Sequence, residues 1–239
     1  MYVLQISRVD LLQLLPKGGV VAEIGVAEGG FSKKILSVTS PQTLHLIDPW
    51  EFQDRDDYQN DANNVPQDIA DSRYHDVCAT FDRYVKFDVV KVHRAFSPAA
   101  AEAFPDNHFD WIFIDGLHTR DGVLADLRGW APKMKENGLI LGHDFANHQG
   151  AQSMSFGVVE AVQEFLRESD YMMNFLTYEV FPTYVLSRKS AQAGLTPFIT
   201  TVLRHAPAPI VIENPETMVY KQVMANFSDG HCKLFYHFG

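Results

Sequence analysis

Five short apolar runs recur along the first part of the chain, each followed by a stretch with helical patterning. They are G-V-V-A-E-I (19–24), L-H-L-I-D (44–48), D-V-V-K-V-H (88–93), F-D-W-I-F-I (109–114) and G-L-I-L-G (138–142). Near-continuous apolarity over four to six residues predicts strands buried on both faces, as in a parallel sheet. Val123, Leu124, Leu127, Trp130 and Met134 recur at helical spacing, and Pro132 predicts that this helix ends or bends near Trp130. Val158, Val159, Val162, Phe165 and Leu166 mark a further amphipathic helix. Residues 173–188 read as two strands broken at Phe181-Pro182, which predicts an antiparallel hairpin at the sheet edge. Strand and helix in alternation predict a doubly wound, Rossmann-like α/β fold. Its sheet is expected to be mostly parallel and seven-stranded, with an antiparallel last strand and helices on both faces.

Two regions break this rhythm. Residues 50–76 hold eight Asp or Glu among many Asn and Gln, predicting a polar loop before a helix around 76–86. A loop this long inside a compact domain is usually functional or mobile. Residues 191–239 follow the small-residue break S-A-Q-A-G and contain β-like pieces such as P-I-V-I and K-L-F-Y. The expected organisation is one domain over 1–190 and a C-terminal extension over 191–239 that serves packing or oligomer contact.

Composition narrows the partners. Hydrophobic residues make up 46% and charged residues 21%, as in ordinary globular proteins. The 20 Lys plus Arg against 30 Asp plus Glu give a formal charge of -10. That balance argues against nucleic acid or an anionic membrane as partner, since both need a basic surface. Cys78 and Cys232 form no metal-type spacing and are expected to be reduced thiols. The first ten residues lack a basic segment followed by an apolar one, and no run approaches a membrane span, so a cytoplasmic protein is expected.

The candidate chemistry clusters at strand ends. V-V-A-E-I-G-V-A-E-G-G-F-S carries Gly25, Gly29 and Gly30, which let the backbone turn tightly and approach a ligand. The helix that follows offers free N–H groups at its start. The stretch is not G-x-G-x-x-G, which weakens a pyrophosphate reading. Glu23 beside the first Gly would repel phosphates yet accept from an ammonium group, favouring a cofactor that bears an amino acid. Asp48 ends its strand where an acid can accept from both ribose hydroxyls of a nucleoside; a turn role before Pro49 is the alternative. Ser97 is expected to N-cap a helix with Pro98 at its first position, any ligand contact being additional.

W-I-F-I-D-G-L-H-T-R and G-L-I-L-G-H-D-F place Asp115, His143 and Asp144 at two further strand ends, with His118 one turn on. Asp115, His143 and Asp144 form a candidate facial set for a divalent ion, Mg²⁺ or a transition metal. His118 then lies close to the ion, free to act as general base. The alternative is that these residues cap helices and that His143 is a packed, hydrogen-bonded histidine.

These segments, together with L-I-D-P-W and D-L-R-G-W, resemble class I S-adenosylmethionine-dependent methyltransferases. They are most similar to the metal-dependent sugar O-methyltransferases of the macrocin and mycinamicin type, over roughly residues 15–190. The resemblance implies that Glu23 and Gly25 border the methionine moiety and that Asp48 holds the ribose. It implies that Asp115 and Asp144 are metal ligands, with His143 where those enzymes carry an acid, and that His118 is the general base. The cofactors implied are S-adenosylmethionine and a divalent metal; Gly29, Ser97 and Asp115 complete the expected cofactor contacts. The expected acceptor is the hydroxyl of a small molecule, a sugar or natural product. A homodimer is expected from the sheet edge and the apolar C-terminal tail. Two other readings stay open: a cofactor-binding protein without metal-dependent turnover, and a nicotinamide-dependent oxidoreductase.

Overall fold

Strand burial follows from the pleat. In Phe109–Ile114, Trp111 and Phe113 point to one face while Ile112 and Ile114 point to the other, and all four are buried. The same double burial holds in the neighbouring strands, so the chain builds two apolar cores separated by one sheet. The structure, a computed structural model, describes residues 1–59 and 61–239.

In chain order the first elements are β1 (Tyr2–Leu4), α1 (Arg8–Leu14), β2 (Val20–Ile24), α2 (Gly30–Thr39), β3 (Thr43–Asp48) and α3 (Gln67–Lys86). Next come β4 (Val90–Arg94), α4 (Ser97–Glu102), β5 (Phe109–Ile114), α5 (Arg120–Trp130), β6 (Met134–Gly142), α6 (Gln149–Ser153) and α7 (Val158–Glu168). The chain finishes with β7 (Tyr171–Thr177), β8 (Tyr184–Arg188), α8 (Gln192–His205), β9 (Ile210–Val211), β10 (Tyr220–Asn226) and β11 (Cys232–Phe238). The main sheet runs β4-β3-β2-β5-β6-β8-β7-β1-β9. Neighbours from β4 to β6 are parallel, and β8 is antiparallel to both β6 and β7. Leu127, Trp130, Val162 and Phe165 cover one face, and Leu11, Ile35, Phe81 and Val202 the other. The doubly wound α/β class is therefore the observed one.

Several details depart from the sequence reading. Among the described residues the main sheet has nine strands rather than seven, because β1 pairs in parallel with β7 and β9 pairs antiparallel with β1. The β7–β8 hairpin is consequently not at the edge. Helix α3 starts at Gln67, nine residues ahead of the expected start, because Ala70, Tyr74, Val77 and Phe81 already form its packed stripe. The 3₁₀ turn at 131–133 ends α5 at Trp130 as Pro132 predicted, but Met134 already belongs to β6, which a register shift against β5 lengthens backwards. Residues 191–239 pack back on the body. Met218, Tyr220, Tyr236 and Phe238 join one core, while Leu195, Phe198 and Val202 join the other. Among the described residues no helix is long and apolar enough to cross a membrane.

Candidate active site

The strand order reverses between β2 and β5, so the loops leaving their C-terminal ends part and open a crevice. A cavity of about 500 Å³ lies there, a size usual for small-ligand sites. Gly25 and Ala27 line it from β2, Asp48 and Trp50 from β3, Ser97 and Asp126 from α4 and α5, and Asp115 from β5.

Gly25 is required by close approach. Its φ is +89°, and a Cβ there would lie 2.0 Å from the Asp115 carbonyl oxygen. Asp48 organises the turns on either side of it: Oδ2 accepts from the backbone N–H of Val26 at 2.9 Å and Ala27 at 3.0 Å, and Oδ1 from Trp50 at 2.7 Å. Three of a carboxylate's roughly four acceptor sites are thus occupied, leaving one for a ligand hydroxyl. Burial pushes its carboxyl up against those three bonds. Trp50 has φ +42°, uncommon for so bulky a residue, and its indole N–H donates to the Ala27 carbonyl at 2.8 Å. On the far wall the Ser97 hydroxyl donates to Asp126 and accepts from the Trp130 indole at 2.8 Å. Burial raises the Asp126 carboxyl to about 7, opposed by the Ser97 bond.

Asp115 leads from the cavity wall into an ionisable cluster with His118, His143 and Asp144. His118 Nε2 lies 2.9 Å from Asp144 Oδ2 and 3.5 Å from Asp115 Oδ1. His143 Nδ1 lies 2.9 Å from Asp144 Oδ1 and 3.6 Å from Asp115 Oδ1. Burial alone would raise both carboxyls, but hydrogen bonds from the two imidazoles outweigh it and hold both below the usual range. Burial would likewise lower the imidazoles. The carboxylates outweigh it, lifting His118 well above its ordinary value and His143 to about 9. Asp144 sits at φ +60°, a left-handed conformation that Asp tolerates better than most residues. Arg8, at the start of α1, reaches Asp115 Oδ2 at 3.4 Å.

The sequence-predicted residues divide accordingly. Gly25, Asp48, Ser97 and Asp115 line the cavity. Glu23 does not: the pleat turns it towards α2, where it is 2% exposed and accepts from the Ser32 hydroxyl. Gly29 does not either; it is the left-handed N-cap of α2, and a Cβ on it would press on Phe81 and Val77. Ser97 is the first helical residue of α4, with Phe96 as N-cap, so its hydroxyl is free for Asp126 and Trp130. Asp115, His118 and Asp144 offer ligand atoms that all lie within 4.8 Å of one another, so His118 joins the candidate metal set in the place expected for His143.

Sequence reasoning missed Asp126, Arg8 and Asp61, the last lying 3.3 Å from His118 Nδ1. Asp126 carried a usable signal, being an acid on the apolar face defined by Val123, Leu127 and Trp130. Asp61 carried none within a loop rich in acids, and Arg8 precedes the first recognised strand.

A family model described as a methyltransferase domain matches residues 22–145, just over half of the 239-residue chain. Among curated proteins, the uncharacterized protein y4gI of Sinorhizobium fredii is 32% identical over 71 residues, 30% of this chain. The chain spans 8% of that protein's length. Among solved structures, one from Clostridium thermocellum has a TM-score of 0.53 at 11% identity, covering 75% of this chain and 92% of that one. One from Corynebacterium glutamicum has a TM-score of 0.50 at 13% identity, covering 75% and 78%. At such identities the two structures show the fold alone. The match from β2 to the residue after Asp144 takes in the whole crevice, and the chain, Rossmann-like in fold, belongs to the methyltransferase-domain family.

Proposed function

We propose that the protein methylates a hydroxyl oxygen of a small molecule, a sugar or natural product, with a divalent ion held by Asp115, His118 and Asp144. The observation that carries this is the donor set itself: two carboxylates and one imidazole whose ligand atoms lie within 4.8 Å of one another, one of them, Asp115, also lining the cavity. The donors fit such an ion, since His118 Nε2 and one oxygen of each carboxylate converge, at 2.9 Å from Asp144 Oδ2 and 3.5 Å from Asp115 Oδ1. Oxygen-rich ligation suits Mg²⁺, and the imidazole suits Mn²⁺ or Fe²⁺ as well. A divalent ion there supplies Lewis acidity, lowering the pKa of an acceptor hydroxyl and fixing its direction towards the methyl group.

The chain's own residues do the remainder. Asp48 keeps one acceptor site for a ribose hydroxyl, and Asp126 with Ser97 presents a polar wall to the nucleoside. His118 would serve as a ligand in this arrangement rather than as the general base, so as the methyl leaves sulfur for oxygen and S-adenosylhomocysteine is released, the hydroxyl proton passes to solvent; His143 steadies both carboxylates from the side. Calorimetric titration should show S-adenosylhomocysteine and Mn²⁺ binding at one site each. Asp115→Ala should abolish the Mn²⁺ site and slow transfer to a genuine acceptor by about 100-fold or more. Absence of nucleoside binding would sink the whole reading. Nucleoside binding without Mn²⁺ binding would sink the metal alone and favour a protein that binds cofactor without metal-dependent turnover.

A further inference from the structure

The long acidic connection between β3 and α3 does more than border the cavity. Asp61 extends from it to His118, its Oδ2 lying 3.3 Å from Nδ1, the ring nitrogen that faces away from Asp115 and Asp144. The two side chains are only 14% and 13% exposed. Oδ1 of Asp61 accepts from the Asn63 N–H at 2.8 Å, which fixes the carboxylate's rotation and leaves Oδ2 for the histidine. The loop is braced in turn. Asn64 accepts from the Gln53 N–H and donates to the Gln53 carbonyl, both at 2.9 Å. Phe156 packs against the His118 ring with centroids 4.5 Å apart.

An imidazole that offers Nε2 as a lone-pair donor must carry its proton on Nδ1, and that proton needs an acceptor. We infer that Asp61 is a positioning residue for His118: it accepts Nδ1–H, sets the ring's rotation, and so turns Nε2 towards the point where Asp115 and Asp144 converge. Tyr58, Asn63 and Val65 of the same loop line the cofactor cavity. One loop therefore joins the nucleoside side of the crevice to the ligand side. The inference takes its catalytic meaning from the ion site proposed above, whereas the ring contact does not depend on it.

Proton–nitrogen spectra of the full chain labelled at histidine nitrogen test the contact directly. Wild type should show a His118 Nδ1–H resonance shifted downfield and slow to exchange, assigned by its loss in His118→Gln. Asp61→Ala should lose it, and Asp61→Asn, which keeps an oxygen acceptor, should retain it. Mn²⁺ affinity, read from the free-ion paramagnetic signal, should fall about 10- to 100-fold in Asp61→Ala and by much less in Asp61→Asn. An unchanged thermal midpoint checks that both variants are folded. An unaltered ring resonance in Asp61→Ala overturns the inference. So does a lost resonance with unchanged Mn²⁺ affinity, which would reduce Asp61 to a loop anchor. Should wild type bind no Mn²⁺, the proposed ion site fails and the ring resonance alone decides the role of Asp61.

Discussion

At Gly25 the end of β2 passes so close to Asp115 that a single methyl group has nowhere to go. Gly25→Ala adds that methyl at a left-handed φ and against backbone rather than a yielding side chain. The variant should lose about 3 kcal/mol in urea unfolding, and its Mn²⁺ affinity should drop because Asp115 is displaced. Glu23 offers a second test. Burial raises its carboxyl to about 8, against an ordinary 4.5, with smaller upward pushes from Asp115 and Asp48 and opposing pulls from the Ser32 bond and Arg8. The folded chain therefore keeps a proton that the unfolded chain releases, so this contribution is full below pH 4.5 and is lost as pH rises to 8. Glu23→Gln should flatten that slope, standing above wild type by up to a few kcal/mol at pH 8 and converging with it below pH 5, as thermal midpoints across pH would show. Asp48, Asp115, His118 and Asp144 were legible because each lies at the end of an apolar strand or within the turn that follows it. Glu23 was legible as an acid but not as a buried one, since only the pleat decides which side it faces.

Among the elements, β3 and β4 carry a device unrelated to the crevice. His45 is buried against Phe104 and Phe109, with Nδ1 2.9 Å from His93 Nε2. Burial holds it down to about 3, helped by His93, His108 and Lys91, so it stays neutral in the folded state while the unfolded chain charges below 6.5. Stability from this group is present above 6.5 and is lost as pH falls towards 3. His45→Phe keeps the aromatic packing without the titration and should unfold at lower pH than wild type in an acid titration followed by circular dichroism. The parallel strands were readable because both faces are buried. The two added strands were not: β1 has three residues and β9 two, too few for any period to register. The start of α3 was hidden because Gln67, Asp68 and Asp71 surround a stripe of only one apolar residue per turn. The place of the β7–β8 hairpin inside the sheet depended on β1, and so it went unseen with it.

Over the whole molecule, the C-terminal hairpin, in which β10 pairs antiparallel with β11 as a separate two-stranded sheet, is tied to both ends of the ionisable cluster. Asn147, three residues after Asp144, exchanges hydrogen bonds with Gln222 of β10: its backbone N–H donates to Gln222 Oε1 at 3.1 Å, its Oδ1 accepts from the Gln222 N–H at 2.9 Å, and its side-chain amide donates to the Tyr220 carbonyl at 2.7 Å. From β11 the Tyr236 hydroxyl donates to the Glu179 carbonyl, and the Glu179 carboxylate accepts the Arg8 N–H at 2.8 Å. Arg8 in turn pairs with Asp115. None of this was visible in residues 191–239 alone, whose pattern announced strands without saying what they touched. These two tethers make the hairpin a remote reporter on the crevice. Loading the protein with Mn²⁺ and S-adenosylhomocysteine should slow amide hydrogen exchange in β10 and β11, and Asn147→Ala should silence the response in β10 while leaving protection around Asp48 intact.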